Sequence, residues 1–145
     1  MALPQPEPGL VIRYAYLWLD EFNEGREEGG KDRPCAIVAA ISDEGGTKRV
    51  LCLPVTHRAP SRPEYAVEIP PAVKRHLGLD DARSWIIVDE HNEFIWPGPD
   101  LRRARDGDDG TVSYGFLPPG LFAQVRRLFL SLNPPRGTQS AKRTQ

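Results

Sequence analysis

Two short polar clusters, distant in the sequence, carry the residue types from which a phosphate-centred site can be built. The first, KDR at 31–33, stands directly before the apolar run PCAIVAAI, and the second, THR at 56–58, directly follows the apolar run VLCLPV. The guanidinium of Arg33 offers a planar fork to two phosphate oxygens and can stabilise charge in a transition state. The hydroxyl of Thr56 can donate to a phosphoryl oxygen, and the imidazole of His57 can transfer a proton. These residue types suit a phosphate-centred reaction.

A β-hairpin is the element that would bring the two clusters together. The runs PCAIVAAIS and RVLCLPVTH are separated by DEGGTK, whose paired glycines suit a tight reversal. In an antiparallel hairpin the start of the first strand lies beside the end of the second, so 31–33 should meet 56–58 at one sheet edge. The alternative is that Arg33 only pairs with an acidic neighbour, Thr56 only caps the strand, and His57 is simply exposed.

The rest of the chain predicts a small, strongly bent sheet or barrel of six or seven short strands. Ile12, Tyr14, Tyr16 and Trp18 alternate with other residues at period two, which indicates a strand. Further strands are predicted for SRPEYAVEIP, SWIIVDE, FIW and TVSYGF, with a polar corner at His91-Asn92 between the second and third of these. PPAVKRHLGLDD predicts a short helix, and PPGLFAQVRRLFLSL predicts a closing helix because its apolar residues recur at helical spacing.

Length and composition favour one globular domain. The chain has 145 residues, a net charge of −1 and two cysteines, and its longest apolar runs fall short of a membrane span. We expect a flexible lead-in at 1–8, the barrel domain at 9–132 and a disordered tail at 133–145. The charged stretch 20–28 should be a surface loop. The near-neutral balance makes any nucleic-acid binding depend on a local basic patch, and the absence of a signal sequence favours a cytoplasmic protein.

Metal and disulfide chemistry are not indicated. Cys35 and Cys52 each lie inside an apolar run and are expected to be reduced core residues. His57, His76 and His91 are widely separated and lack zinc-site spacing. No phosphate-binding glycine motif precedes a helix, so no cofactor is expected.

The order of PGLVIRYAYLW, KDRPCAIV and VLCLPVTH resembles the PemK/MazF family of bacterial toxins from toxin–antitoxin pairs. That family has a glycine near the first strand, a K-x-RP or KRP step into an apolar strand, and a later strand that ends in P-[IV]-T. The run from VEIPPAVKRHLG to FIWPGPDLR is similar to a longer, growth-inhibitor-like branch. The match spans roughly residues 8 to 132.

The resemblance implies an SH3-like β-barrel with a short helix and a C-terminal helix, usually a homodimer. It implies metal-independent cleavage of single-stranded RNA, in which the 2′-hydroxyl attacks the adjacent phosphate to give a cyclic phosphate and a 5′-hydroxyl. Arg33 and Thr56 would carry the activity, and a small antitoxin would occupy the RNA groove. His57, where many members have Ser or Thr, is a candidate proton donor or acceptor. The predicted RNA contacts are Lys31, Arg58, Arg62 and Asn92.

Two other functions stay open because the segment VDEHNE at 88–93 is acidic where a groove-lining arginine is common in the family. The protein would then be a non-catalytic barrel toxin that binds a protein target, as CcdB toxins bind gyrase through the last helix. In that case residues 124–132 would matter and Arg33 would not. Alternatively, the chain is an inactive member that only binds a partner.

Overall fold

The structure is a computed structural model that describes residues 3–19, 31–104, 111–132 and 139–142, with the backbone alone at position 31 and at 139–142. Within these residues the chain is mainly β. The strands are β1 (Leu10–Tyr16), β2 (Lys31–Ser42), β3 (Lys48–Thr56), β4 (Ala66–Glu68), β5 (Trp85–Ile87), β6 (Glu90–Ile95), β7 (Leu101–Arg102), β8 (Ser113–Phe116) and β9 (Gln139–Lys142). The helices are α1 (Pro71–Leu77) and α2 (Pro119–Ser131), with a 3₁₀ turn at Pro63–Tyr65.

The predicted hairpin forms the centre of the sheet. β2 and β3 are antiparallel, with Cys35 opposite Pro54 at the end that carries the two polar clusters, and β1 pairs with the other side of β2. β3 also pairs with β5 near its end and with β6 nearer its start. The hydrogen-bonded order β4-β5-β3-β2-β1-β7 does not close into a ring among the described strands.

The sheet is nevertheless strongly curled, as the aromatic residues show. β1 and β6 are separated in the sheet by β2 and β3, yet the rings of Tyr14 and Phe94 stack with centroids 4.5 Å apart. At the end of β1, both backbone hydrogen-bonding groups of Leu17 are bound by the side chain of Asn92 on β6. The side-chain amide of Asn92 therefore joins β1 to β6. At this seam between the two strands, a closed barrel would have backbone hydrogen bonds.

Strand side chains alternate between the two faces of the sheet, and each face carries a cluster of buried apolar residues. One face carries Ile12, Tyr14 and Tyr16 of β1 together with both cysteines, which are free and buried as predicted. The other face packs against α2, whose Val125 and Phe129 enter the core. Each helix begins at a proline, and α1 ends at Gly78, which has a left-handed φ of 71°.

The structure departs from the sequence-based expectations in several segments. SRPEYAVEIP was predicted as a strand, but Pro63–Tyr65 form a 3₁₀ turn and the strand covers only Ala66–Glu68. The predicted corner at His91-Asn92 is wrong: the break between β5 and β6 lies at 88–89, and both residues are buried within β6. Residues 101–102, predicted as loop, pair with β1. Residues 139–142, predicted as tail, form β9, which runs parallel to β6. The predicted loop at 20–28 lies outside the described residues.

In the described part of the chain, neither helix has the length and apolar character that crossing a membrane requires.

Candidate active site

A cavity of about 710 Å³, the main cavity, opens where the ends of β1 and β3 and the start of β2 meet. Its volume falls within the range of small-molecule sites. The polar and aromatic residues among those that line it are Trp18, Arg33, Thr56, Arg58, Ser61, Arg62, Tyr65, Asp89 and Glu90. Four residues chosen from the sequence, Arg33, Thr56, Arg58 and Arg62, therefore border one space.

Arg33 lies at the centre of this arrangement. Its guanidinium carbon is 5.0 Å from the centroid of the Trp18 ring, and its Nη1 donates to the carbonyl oxygen of Val55 at 3.4 Å. Its Nε is buried and has no hydrogen-bond partner in the part of the chain that the structure describes. Among the described residues no carboxylate forms an ion pair with Arg33, unlike Arg49, Arg62 and Arg83. The guanidinium is thus held in place by an aromatic ring and one carbonyl group, and its charge is available to an anion.

Thr56 shapes the loop that follows β3 and lines the same cavity. Its Oγ1 accepts a hydrogen bond from the backbone N–H of Arg58 at 3.1 Å, which turns the chain as β3 ends. The hydroxyl hydrogen remains able to donate to a ligand in the cavity. Arg58 itself is exposed on this loop.

Arg62 is already engaged within the protein. It forms a close ion pair with Asp89, and its guanidinium carbon lies 5.2 Å from the centroid of the Tyr65 ring. Asp89 is thereby neutralised rather than left facing the cavity as an unpaired charge.

Glu90 is also bound, by the segment that carries Trp18. One of its oxygens accepts hydrogen bonds from the Tyr16 hydroxyl and from the Leu19 N–H, each at 3.0 Å. Burial, and then the charge of Glu90, raise the pKa of Tyr16 well above its ordinary value, so the phenol stays protonated and donates. Glu93 lies apart from the main cavity and pairs with Arg49 at 2.9 Å. The acidic segment is therefore largely satisfied by internal partners.

Asn92 does not reach the main cavity. It is fully buried, its Oδ1 accepts from the Leu17 N–H at 2.8 Å, and its Nδ2 donates to the Leu17 carbonyl oxygen at 2.7 Å. Because these contacts fix the backbone next to Trp18, Asn92 supports the cavity wall from behind. Asn92 is therefore buried away from any RNA bound in the main cavity, unlike the contact predicted from the sequence.

His57 borders a different space. It lines a second cavity of about 340 Å³, together with Arg13, Asp32, Lys74, Asp80 and Tyr114, and its Nε2 is 2.8 Å from Oδ2 of Asp80. Arg33 lines both cavities, so it lies between Thr56 on one side and His57 on the other. Lys31 begins β2 opposite Tyr16, and its side chain is outside the described atoms.

Several residues of these cavities were not predicted from the sequence, among them Lys74, Tyr65 and Asp80. Tyr65 stands three residues after Arg62, a spacing that a turn of 3₁₀ helix brings together, but nothing in the sequence marked that turn. Asp80 follows the predicted helix end at Gly78, and nothing in the sequence distinguishes it from other acidic residues in surface loops. Its contact with His57 depends on the loop between α1 and β5, which brings Asp80 to the residue that follows β3.

Within the described ranges, no group of three or more His, Cys, Asp or Glu side chains is arranged to hold a metal ion.

Solved structures with a similar fold were found by comparison. One match is the crystal structure of MazE-MazF from Deinococcus radiodurans, with a TM-score of 0.54 and 22% identity over 88% of this chain and 94% of that one. Another is an endoribonuclease in complex with its cognate antitoxin from mycobacterial species, with a TM-score of 0.53 and 17% identity over 90% of this chain and 97% of that one. The chain has a MazF-like fold.

Sequence comparison adds nothing to this, since no family model and no curated protein matches the chain.

Proposed function

We propose that this protein is a toxin of a toxin–antitoxin pair, a cytoplasmic endoribonuclease that cleaves single-stranded RNA in the main cavity without a metal ion. The 2′-hydroxyl would attack the adjacent phosphate, leaving a cyclic phosphate and a 5′-hydroxyl. One observation carries the proposal. The guanidinium of Arg33 lies against the Trp18 ring and the end of β3, and it has no carboxylate partner among the described residues.

The contacts around Arg33 support this chemistry. Its fork can bind two non-bridging oxygens and stabilise the extra charge of the five-coordinate transition state. The Thr56 hydroxyl on the facing strand would hold a phosphoryl oxygen. Arg58, exposed beside it, would contact the adjacent phosphate, and Lys31 and Arg62 would contact the strand further along. Trp18 and Tyr65 offer ring faces on which bases can stack.

The likeness to complexes of toxin and antitoxin supports a protein partner for this chain as well. We propose a cognate antitoxin that covers the main cavity, and a homodimer as the toxin unit. An antitoxin segment with acidic side chains would compete with RNA for the free charge of Arg33 and Arg58.

The test is incubation of the purified protein with a long unstructured RNA in EDTA, followed by analysis of the new ends. Cyclic phosphate and 5′-hydroxyl ends are expected, and Arg33→Ala should slow cleavage by about 10²- to 10³-fold. Arg83→Ala is the matched control, because Arg83 lies 4.9 Å from the Trp85 ring centroid in a similar stacked pair and lines neither cavity. Equal activity of Arg33→Ala and the unaltered protein would refute the assignment, and 5′-phosphate ends would refute the mechanism.

A further inference from the structure

The second cavity contains a histidine that is held by a chain of charges beginning at a buried lysine. Lys74 is only 4% exposed, and its Nζ donates to Oδ1 of Asp80 at 2.6 Å, to Oγ of Ser84 at 2.5 Å and to the carbonyl oxygen of Ala82. All three ammonium hydrogens therefore have acceptors. The other oxygen of Asp80 contacts Nε2 of His57. Lys74 thus fixes Asp80, and Asp80 fixes the imidazole.

Asp80 is suited to this orienting role. The hydrogen bond from Lys74 lowers the pKa of the Asp80 carboxyl below its ordinary value, and the N–H of Ala82 also donates to Oδ1 at 3.2 Å. An ionised carboxylate that accepts from Nε2–H leaves Nδ1 as the imidazole nitrogen able to exchange a proton with a ligand. The His57 side chain is 59% exposed, so a ligand in the second cavity can reach it.

The position of Arg33 connects this pair to the proposed reaction. Arg33 borders both cavities, with Thr56 on the main-cavity side and His57 on the second-cavity side. A phosphate bound at Arg33 would therefore have the nucleoside on one side in the main cavity and the nucleoside on the other side in the second cavity. A single RNA strand that crosses the end of β3 satisfies both.

We propose that His57 is the general acid of the ribonuclease reaction, with Asp80 and Lys74 as positioning residues and the second cavity as the site of the leaving nucleoside. This rests on the proposed function. The 2′-oxygen bonds to phosphorus as its proton passes to water, and the bond from phosphorus to the 5′-oxygen breaks. Nδ1–H of protonated His57 gives its proton to that 5′-oxygen, and the ring then takes up a proton from solvent, which balances the proton that the 2′-hydroxyl released. The products are the cyclic phosphate and a neutral 5′-hydroxyl.

The test uses a leaving group that needs no acid. The cleaved linkage is first mapped in a long RNA, and an oligonucleotide is then made with that linkage in two forms, one natural and one with sulfur in place of the bridging 5′-oxygen. A thiolate leaves without a proton, so removal of a general acid should slow only the natural substrate. The proteins compared are the unaltered chain, His57→Ala, Asp80→Asn and, as a matched control, His76→Ala, since His76 is exposed on α1 and lines neither cavity.

We expect His57→Ala to cut the natural linkage about 10²- to 10⁴-fold more slowly and the sulfur linkage at close to the unaltered rate. Asp80→Asn should show a smaller loss that sulfur also restores, and His76→Ala should show none. Equal losses on both substrates, or no loss with His57→Ala, would overturn the inference while the ribonuclease assignment stands. Failure of the unaltered protein to cut any RNA would instead remove the proposed function, and this inference with it.

Discussion

Asn92 and Lys74 are both buried polar side chains, and each fixes a segment beside one of the two cavities, but they do so by different means. Asn92 is neutral and binds both backbone groups of Leu17, next to Trp18 in the main cavity. Lys74 is charged and binds the loop from Asp80 to Ser84, beside the second cavity. In each case the donors and acceptors of the side chain are matched by internal partners, which is what makes burial tolerable.

The difference lies in what each contact depends on. The amide of Asn92 satisfies a donor and an acceptor without removing a charge from water, so its contacts should not change with pH. Lys74 needs an ionised Asp80 to offset the desolvation of its ammonium group. The wall of the main cavity is therefore fixed independently of titration, whereas the support of His57 depends on one carboxylate.

The largest expected effect is that of Asn92→Leu. This change keeps the approximate volume but leaves the N–H and C=O of Leu17 buried without partners, each of which costs about 1–3 kcal/mol. We expect the free energy of unfolding to fall by roughly 3 kcal/mol, measured by chemical denaturation. Trp18 should also lose its fixed position over Arg33, so RNA cleavage should fall at temperatures where the variant remains folded. A loss below about 1 kcal/mol would show that the seam between β1 and β6 does not need the amide.

A smaller effect is expected for Lys74→Met, which retains the aliphatic body and removes the charge. Breaking a fully buried pair costs about 3–5 kcal/mol, but Asp80 is half-exposed and can be hydrated, so we expect about 2 kcal/mol. The pH dependence provides the control. Because the pKa of Asp80 is lowered in the folded state, its contribution is complete above the ordinary value of 3.8 and is lost as the pH falls through the folded-state pKa. The difference between the two proteins should therefore shrink in acid, and a constant difference would show that the ion pair is not its source.

The sequence was sufficient to predict that 31–33 lie beside 56–58, because a hairpin follows from two apolar runs and a glycine turn. The pairing of Cys35 with Pro54 agrees with that prediction, whereas the register shift between Ile37 and Ala39 was not predicted. The sequence also predicted both helices from their prolines and from the helical spacing of their apolar residues. These features are local, and local signals are what a single sequence carries best.

What the sequence did not predict depends on contacts between distant segments. His57 and Thr56 are neighbours in the chain, yet they line different cavities, and only the loop that brings Asp80 to His57 gives the histidine a partner. His91 and Asn92 look like a polar corner, but β6 buries both, since Asn92 is matched to Leu17 across the seam. A polar residue that is satisfied by a distant backbone cannot be distinguished from an exposed one by spacing alone.

His91 is a third buried polar side chain, but unlike Asn92 and Lys74 it has a ring nitrogen without a hydrogen-bond partner. It packs edge-on against Phe129, at 5.7 Å between ring centroids, and its Nδ1 is buried without a hydrogen-bond partner within the described ranges. Burial lowers the pKa of His91 below its ordinary 6.5, and the charge of Glu93 opposes this only in part. Between the folded-state pKa and 6.5 the unfolded chain therefore binds more protons than the folded protein, so the free energy of unfolding should decrease as the pH falls from 7 to 5.5, by at most about 1 kcal/mol.

His91→Leu should flatten the dependence of the free energy of unfolding on pH, and His76→Asn should leave it unchanged, because His76 is exposed. An unchanged slope in His91→Leu would mean that His91 is solvated in the folded state, and Asn92 and Lys74 would then be the better-supported examples of buried polar groups that organise this fold.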